Sequence, residues 1–387
     1  MKILYDSKGF DAPYSGVAFY LTELVKHLPD GILADIAVAE TNNPELTKPP
    51  FNFQLTKFNL KKYSGKVNFK FKSVLYRWIV RLMPGIIPAM EMKNEKFFKE
   101  KLGKADFDVL HLTGAHYYGH SWRKVVGKKP IVITVHDLIP ELWCNNADVI
   151  KQRRAVLSAA THIISISTRT KEDLMSYYSV PSEKISVVYH GWTEWESENT
   201  VPVFPGKKYI LYVGLRTESK NFRFFLKAIA PYLFSHQELQ VVCTGKPFDK
   251  EEIEFIDGLK LTGRVSAQFI PNEQMYSLYK NAEVFVFPSR HEGFGIPILD
   301  AFHAGCPMVL SNCTCFPEIG GDAATYFDDG DADGLVAGID RVINDAEYRK
   351  AMIEKGLKRA DTFTWSIAAE KTVQAYKKAI DAFNHKA

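Results

Sequence analysis

The sequence predicts an α/β protein built as two doubly wound, Rossmann-like domains in series. Three observations carry that reading. Short β-rich runs alternate with helical patterns along the chain. Most of the runs are nearly continuous apolar stretches, as expected of parallel strands covered on both faces. The alternation breaks once, near residue 190, and then restarts.

In the first half KILYD, ADIAVA, DVLHL, IVITV, HIISIS and KISVVY read as strands. The helix after the first strand is the clearest. Ser15 is placed to cap it, and Val17, Tyr20, Leu21, Leu24, Val25 and Leu28 recur at helical spacing. The stretch HGWTEWESENTVPVFPGKK is polar, carries two prolines and has no period, which reads as a linker. YILYV, LQVVCTG, VSAQFI, VFVFP, PMVLS and TYF then restart the strands, and Trp365 to Ala387 reads as one long helix. The expected boundaries are a first domain over 1–190, a linker over 191–207, a second domain over 208–365 and a helix over 366–387 returning to the first domain. Ligands of such folds sit at the carboxyl ends of the strands, so a cleft between the domains is the expected site.

Composition narrows the class. The chain has 387 residues, 46% hydrophobic and 24% charged, which is ordinary globular usage and excludes disordered or collagen-like chains. A net charge of +4 is too small to imply nucleic acid. The most apolar stretch, SVLYRWIVRLMPGIIPAM, carries Arg77, Arg81, Pro84 and Pro88 and does not read as a membrane span. The first apolar run is too short for a signal peptide. Cys144, Cys243, Cys306, Cys313 and Cys315 are odd in number and scattered, which fits a reducing cytoplasm better than a disulfide framework. Cys313 and Cys315 lack a second ligand pair at zinc spacing, so no metal is expected.

The densest signal is SRHEGFGIPILDAFHAGCP. A strand ends, a loop brings Glu292, and Gly293 and Gly295 flank Phe294. Ile296 and Pro297 then open a helix that Gly305 is placed to close. A helix N-terminus behind two glycines suits a phosphate. A carboxylate beside a phosphate is repulsive, so Glu292 and Asp300, one turn into the helix, suit sugar hydroxyls instead. A second motif is LYVGLRTESKNF. Gly214 follows a strand, Asn221 is placed to cap the next helix, and Arg216 and Lys220 offer two cations for a diphosphate. A third is ITVHDLIP, with His136 and Asp137 where a buried strand ends. In YSGVAFYL, Gly16 lets backbone approach a substrate. The loop is not G-x-G-x-x-G, and no acidic residue follows at dinucleotide spacing, which counts against an NAD enzyme. His190 reads as a hinge support, and the acidic run from Asp328 as solvated.

The spacing of Glu292 and Asp300 within EGFG-P, with NCTCFPEIGGDAATYFDDGD and TFTW after it, resembles the retaining nucleotide-sugar glycosyltransferases of GT-B fold, family four. The resemblance covers nearly the whole chain. It implies transfer of a hexose, GDP-mannose and UDP-hexoses both being open as donors, to a hydroxyl of a glycan or lipid-linked glycan. It gives Lys220 and Arg216 to the pyrophosphate, Glu292 and His136 to the sugar, and Asp300 to the ribose. Gly16, Gly214, Gly293, Phe294, Gly295 and Ile296 fall to donor binding, and Glu292, His136 and Lys220 to catalysis. It implies no cofactor and no metal. Two departures stand out: Asp300 replaces the family's usual Glu, and Arg216 lies one place later than the common form. A non-catalytic nucleotide-sugar-binding subunit and a nucleotide-sugar epimerase remain alternatives.

One surface feature is separate. Residues 57–104 hold thirteen basic residues against three acidic ones, interleaved with Tyr63, Phe69, Phe71, Tyr76 and Trp78. An anionic membrane surface or an acidic glycan fits this better than nucleic acid. The expectation is a cytoplasmic protein with peripheral contact at the inner face of the cytoplasmic membrane.

Overall fold

The computed structural model describes residues 1–10, 15–41, 43–51, 53, 86–114, 121–143, 145–195 and 200–385, with backbone only for 86–91. The basic stretch 57–85 and Cys144 lie outside the described residues. The chain divides into two compact units. Unit one comprises Met1–Ile166, Lys171–Val188 and Ala368–Ala387; unit two comprises Ser167–Thr170 and Tyr189–Ile367.

Unit one holds a six-stranded sheet in the order β2-β1-β3-β4-β5-β6. Its strands are β1 (Lys2–Tyr5), β2 (Leu33–Ile36), β3 (Val109–Leu112), β4 (Ile131–Val135), β5 (His162–Ser165) and β6 (Ile185–Val187). Unit two holds a six-stranded sheet in the order β12-β11-β10-β7-β8-β9. Its strands are β7 (Lys208–Tyr212), β8 (Leu239–Thr244), β9 (Val265–Gln268), β10 (Val284–Phe287), β11 (Met308–Ser311) and β12 (Thr325–Phe327). All pairings are parallel. Each of the twelve runs expected from the sequence contributes one of these strands.

Residue chemistry follows sheet position. Every residue of the central strands β3, β4, β5, β10 and β11 is buried, which is why these segments read as unbroken apolar runs. The edge strands β2 (LADI) and β9 (VSAQ) are partly exposed and more polar, as unpaired edges require.

Polar side chains interrupt the core of unit one, among them two sets that tie its elements together. His111 on β3 hydrogen-bonds Thr134 on β4 through Nε2 at 2.9 Å and the Tyr376 hydroxyl through Nδ1 at 2.7 Å. Tyr376 in turn shares a 2.7 Å hydrogen bond with Tyr5 on β1. Tyr376 belongs to the last helix, Trp365–Asn384, so this buried chain of polar groups ties that helix to three strands. At the end of β1, Asp6 accepts from the Thr113 amide and hydroxyl, both at 2.7 Å, pinning the ends of β1 and β3 together.

Burial holds these imidazoles neutral. The pKa of His111 is pushed down to about 3, and those of His136 and His162 to about 4, by desolvation first. A base with a depressed folded pKa contributes stability that is present above its unfolded value, near 6.5, and lost as pH falls toward the folded value. Asp300, raised to about 6, and Asp6, also raised by burial, act with the opposite sign but are two groups against three. The urea midpoint of unfolding is therefore expected to fall steadily between about pH 6.5 and 4. A midpoint flat across that window would contradict the buried neutral state of these histidines.

Candidate functional site

The strand order of unit two reverses between β7 and β10. Both neighbours run parallel, with Val284 opposite Ile210 and Phe285 opposite Leu211. Their following loops, 213–221 and 288–295, therefore leave the same edge of the sheet side by side, at the switch point where doubly wound sheets bind ligands. These are the two loops that carry the strongest sequence motifs.

The first loop is shaped by Tyr212, the buried last residue of β7. Its hydroxyl donates to the carbonyls of Leu215 at 2.8 Å and Lys220 at 3.3 Å, folding the loop back over the strand end. Gly214 has φ 129°, a conformation closed to side chains, and its amide donates to Thr244 Oγ1 at 3.4 Å. Asn221 stands at the N-cap of helix Phe222–Ser235, as expected, but in a left-handed conformation and without a side-chain cap bond. Its side-chain Nδ2 donates instead to Asp329 at 3.3 Å.

The second loop is tied to the first. The Arg290 amide donates to the Ser219 carbonyl at 2.8 Å, and its guanidinium meets Asp329 at 3.0 Å. The acidic run after β12 is thus not simply solvated: Asp329 joins the two loops, and Asp331 caps the helix Ala332–Asn344. Gly295 has φ 94°, and a Cβ there would lie 3.0 Å from a ring carbon of Phe316 and 3.1 Å from Ile298. Only glycine fits this entry to the helix Ile296–Ala304, which has Pro297 in its first turn and Gly305 as its left-handed C-cap.

These constraints bring Lys220 and Glu292 together: the ammonium forms an ion pair with the carboxylate, both partly buried. A cation suited to phosphate and a carboxylate suited to sugar hydroxyls thus share one point on the sheet edge.

The other expected residues are placed differently. The Arg216 guanidinium is held by Glu252 through Nε at 2.6 Å and Nη2 at 3.2 Å, donates to the Lys246 carbonyl at 2.8 Å, and lies over the Phe248 ring. Its charge is thus already matched by a carboxylate. Asp300 accepts from the Thr193 amide at 3.0 Å. Burial pushes its pKa up to about 6, and the hydrogen bonds from Thr193 partly offset this. The Phe294 ring is buried in an aromatic cluster, edge-on to His190 at 4.5 Å and near Tyr189 and Phe363, so only its backbone is open to a ligand role. The stretch read as a linker is in part packed structure: Trp192 stacks on His303 at 3.7 Å, and a Cβ at Gly191 would lie 2.4 Å from the Trp365 amide. His190 also faces Trp365.

His136 and Gly16 belong to unit one. His136 follows β4 and meets the Tyr20 ring edge-on at 5.1 Å. Gly16 is exposed at the first position of helix Gly16–Lys26, capped by Ser15, and a Cβ there would meet open space. Among the described residues no group of three or more His, Cys, Asp or Glu is placed to hold a metal. Sequence reasoning missed Glu252, Asp329, Thr113 and the segment Cys313–Cys315. Asp6 stands directly after β1, and its partner Thr113 lies over a hundred positions away.

Comparison with known proteins agrees with this geometry. Residues 14–192 match the family described as Glycosyltransferase Family 4, and residues 193–359 match Glycosyl transferases group 1. The O-antigen chain mannosyltransferase B of Escherichia coli is 27% identical over 239 residues, which is 57% of this chain and 61% of that protein. An uncharacterized glycosyltransferase of Methanocaldococcus jannaschii is 27% identical over 304 residues, 72% of this chain and 77% of that one. Among solved structures, sucrose-phosphate synthase from Thermosynechococcus elongatus superposes with a TM-score of 0.71 at 17% identity, covering 98% of this chain and 99% of that one. With two Rossmann-like units, the switch-point motif and both halves matched, the chain belongs to the family-four glycosyltransferases of GT-B fold.

Proposed function

We propose that the protein is a retaining hexosyltransferase that moves a hexose, mannose foremost, from a nucleoside diphosphate sugar to a hydroxyl of a glycan or lipid-linked glycan. The observation that carries this reading is the Lys220–Glu292 pair at the switch point of unit two. The mannosyl preference rests on the similarity to the Escherichia coli enzyme's sequence.

On this reading Lys220 leaves Glu292 to meet the diphosphate, and Glu292 then accepts from sugar hydroxyls. The leaving phosphate takes the acceptor's proton on the face it departs from. The protein supplies orientation and charge stabilisation, with neither metal nor cofactor required. Asp300 holds the ribose, and His136 the sugar.

The deciding experiment incubates purified protein with GDP-mannose and with UDP-hexoses and follows donor hydrolysis and transfer. Slow release of free sugar supports the enzyme. Binding without turnover would make the chain a nucleotide-sugar-binding subunit, and a new nucleotide sugar would make it an epimerase.

Two substitutions separate the members of the ion pair. Lys220→Ala is expected to weaken UDP or GDP binding by about 10- to 100-fold while sparing the nucleoside, since a charge-assisted contact contributes roughly 1.5–3 kcal/mol. Glu292→Gln is expected to cut turnover about a hundredfold or more. It should also tighten the free diphosphate by roughly threefold, because Lys220 no longer has to leave a carboxylate. Calorimetry showing weaker diphosphate binding in Glu292→Gln would contradict the competition.

The shifted Asp300 gives a pH test. A ribose hydroxyl donates to the carboxylate, which is complete only above its pKa of about 6. Nucleoside affinity is expected to rise between about pH 5 and 7 in the wild type and to stay flat in Asp300→Asn.

The membrane reading rests on charge. Beyond the block at 57–104, Arg123, Lys124 and Lys128 are exposed on the turn region that packs against the helix Ile86–Lys104. Vesicles rich in anionic lipid are expected to cosediment the protein at low salt and release it as salt rises, each basic residue contributing about 1 kcal/mol. Equal binding to neutral vesicles would remove the charge argument.

A further inference from the structure

The segment after β11, Cys313–Cys315, does not belong to either loop of the site, yet it grips the second one. The Glu292 amide donates to Thr314 Oγ1 at 3.3 Å. The Cys315 thiol donates to the carbonyls of Glu292 at 3.4 Å and Phe294 at 3.2 Å. Cys315 is fully buried, and burial raises its pKa so that the thiol keeps the proton it donates. Thr314 reaches its position with φ 49°, a left-handed conformation that is an outlier for a β-branched residue.

Planar trans peptides turn these bonds outward. Within each peptide the carbonyl and the following amide point in opposite directions. With the carbonyls of Glu292 and Phe294 drawn toward Cys315, the amides of Gly293 and Gly295 face away from it. Neither amide has an acceptor among the described residues. Both stand at the entry to the helix Ile296–Ala304, where the partial positive charge of the backbone favours an anionic oxygen.

We propose that Thr314 and Cys315 are positioning residues for the donor: the thiol aims the Gly293 and Gly295 amides, and the threonine hydroxyl fixes the backbone of Glu292. The proposal rests on the nucleotide-sugar reading of the site and goes beyond it by assigning work to two side chains that touch no substrate. It also accounts for a strained threonine where glycine would be the easier residue. Cys315 acts here through its S–H as a hydrogen-bond donor, with no nucleophilic or redox step.

Thr314→Gly tests the threonine directly. Glycine suits the left-handed backbone but removes Oγ1, so the melting temperature of the ligand-free protein is expected to hold or rise while affinity for UDP or GDP falls about threefold. A purely structural role would move both in the same direction. Cys315→Ala is expected to lose about tenfold in diphosphate affinity with nucleoside affinity unchanged, and Cys315→Ser, which keeps a donor, to recover part of it. Wild-type diphosphate affinity in both Thr314→Gly and Cys315→Ala would overturn the assignment. If Cys315→Ala does not fold, Thr314→Gly and Cys315→Ser decide the question by the same measure. A wild-type protein that binds neither UDP nor GDP overturns the donor reading itself, and the assignment with it.

Discussion

Lys220 and Glu292 lie 72 positions apart and meet because β7 and β10 are hydrogen-bonded neighbours. That adjacency is the constraint on which the rest of the site depends. The sheet of unit two is laid down from the middle outward, β7 first, with β8 and β9 on one side and β10 to β12 on the other. Only where the order turns back do two loops leave adjacent strand ends without a helix crossing between them. Tyr212, the Arg290–Ser219 backbone bond and Asp329 then remove the remaining freedom of both loops. The ion pair is the outcome of this ordering, and the segment after β11 extends it from a third strand end.

Much of this was legible in the sequence because it is local. The strands announce themselves as apolar runs since both faces are covered, and helix ends show through Ser15, Pro297 and Gly305 because caps act within a turn. The long-range pairings were not legible. Nothing near Arg216 signals that Glu252 will claim it; two cations in one loop look alike until a partner from another element selects between them. Phe294 falls to donor binding by resemblance alone, and nothing near it signals that its ring packs into a cluster with His190 and Tyr189. The packing of the stretch after His190 was not legible for a related reason. Tryptophans in a polar stretch carry no period, so their stacking on His303 leaves no pattern to read.

Unit one shows how a core accommodates polar groups. Tyr5, His111, Thr134 and Tyr376 sit where apolar side chains would pack more cheaply, and each is satisfied by the next. An apolar contact tolerates a helix sliding by a fraction of a turn, whereas a chain of hydrogen bonds between 2.7 and 2.9 Å does not. The network therefore fixes the register of the last helix on the sheet.

That register has a consequence for how the chain is made. Residues 368–387 complete unit one, yet they follow the body of unit two, residues 189–367, along the chain and are synthesised after it. During synthesis the first sheet waits without the Tyr376 hydroxyl that Tyr5 and His111 bond, while the strands of the second are made. The unit that is begun first is thus completed after the other, so its apolar sheet stays without this helix while the whole of 189–367 is translated.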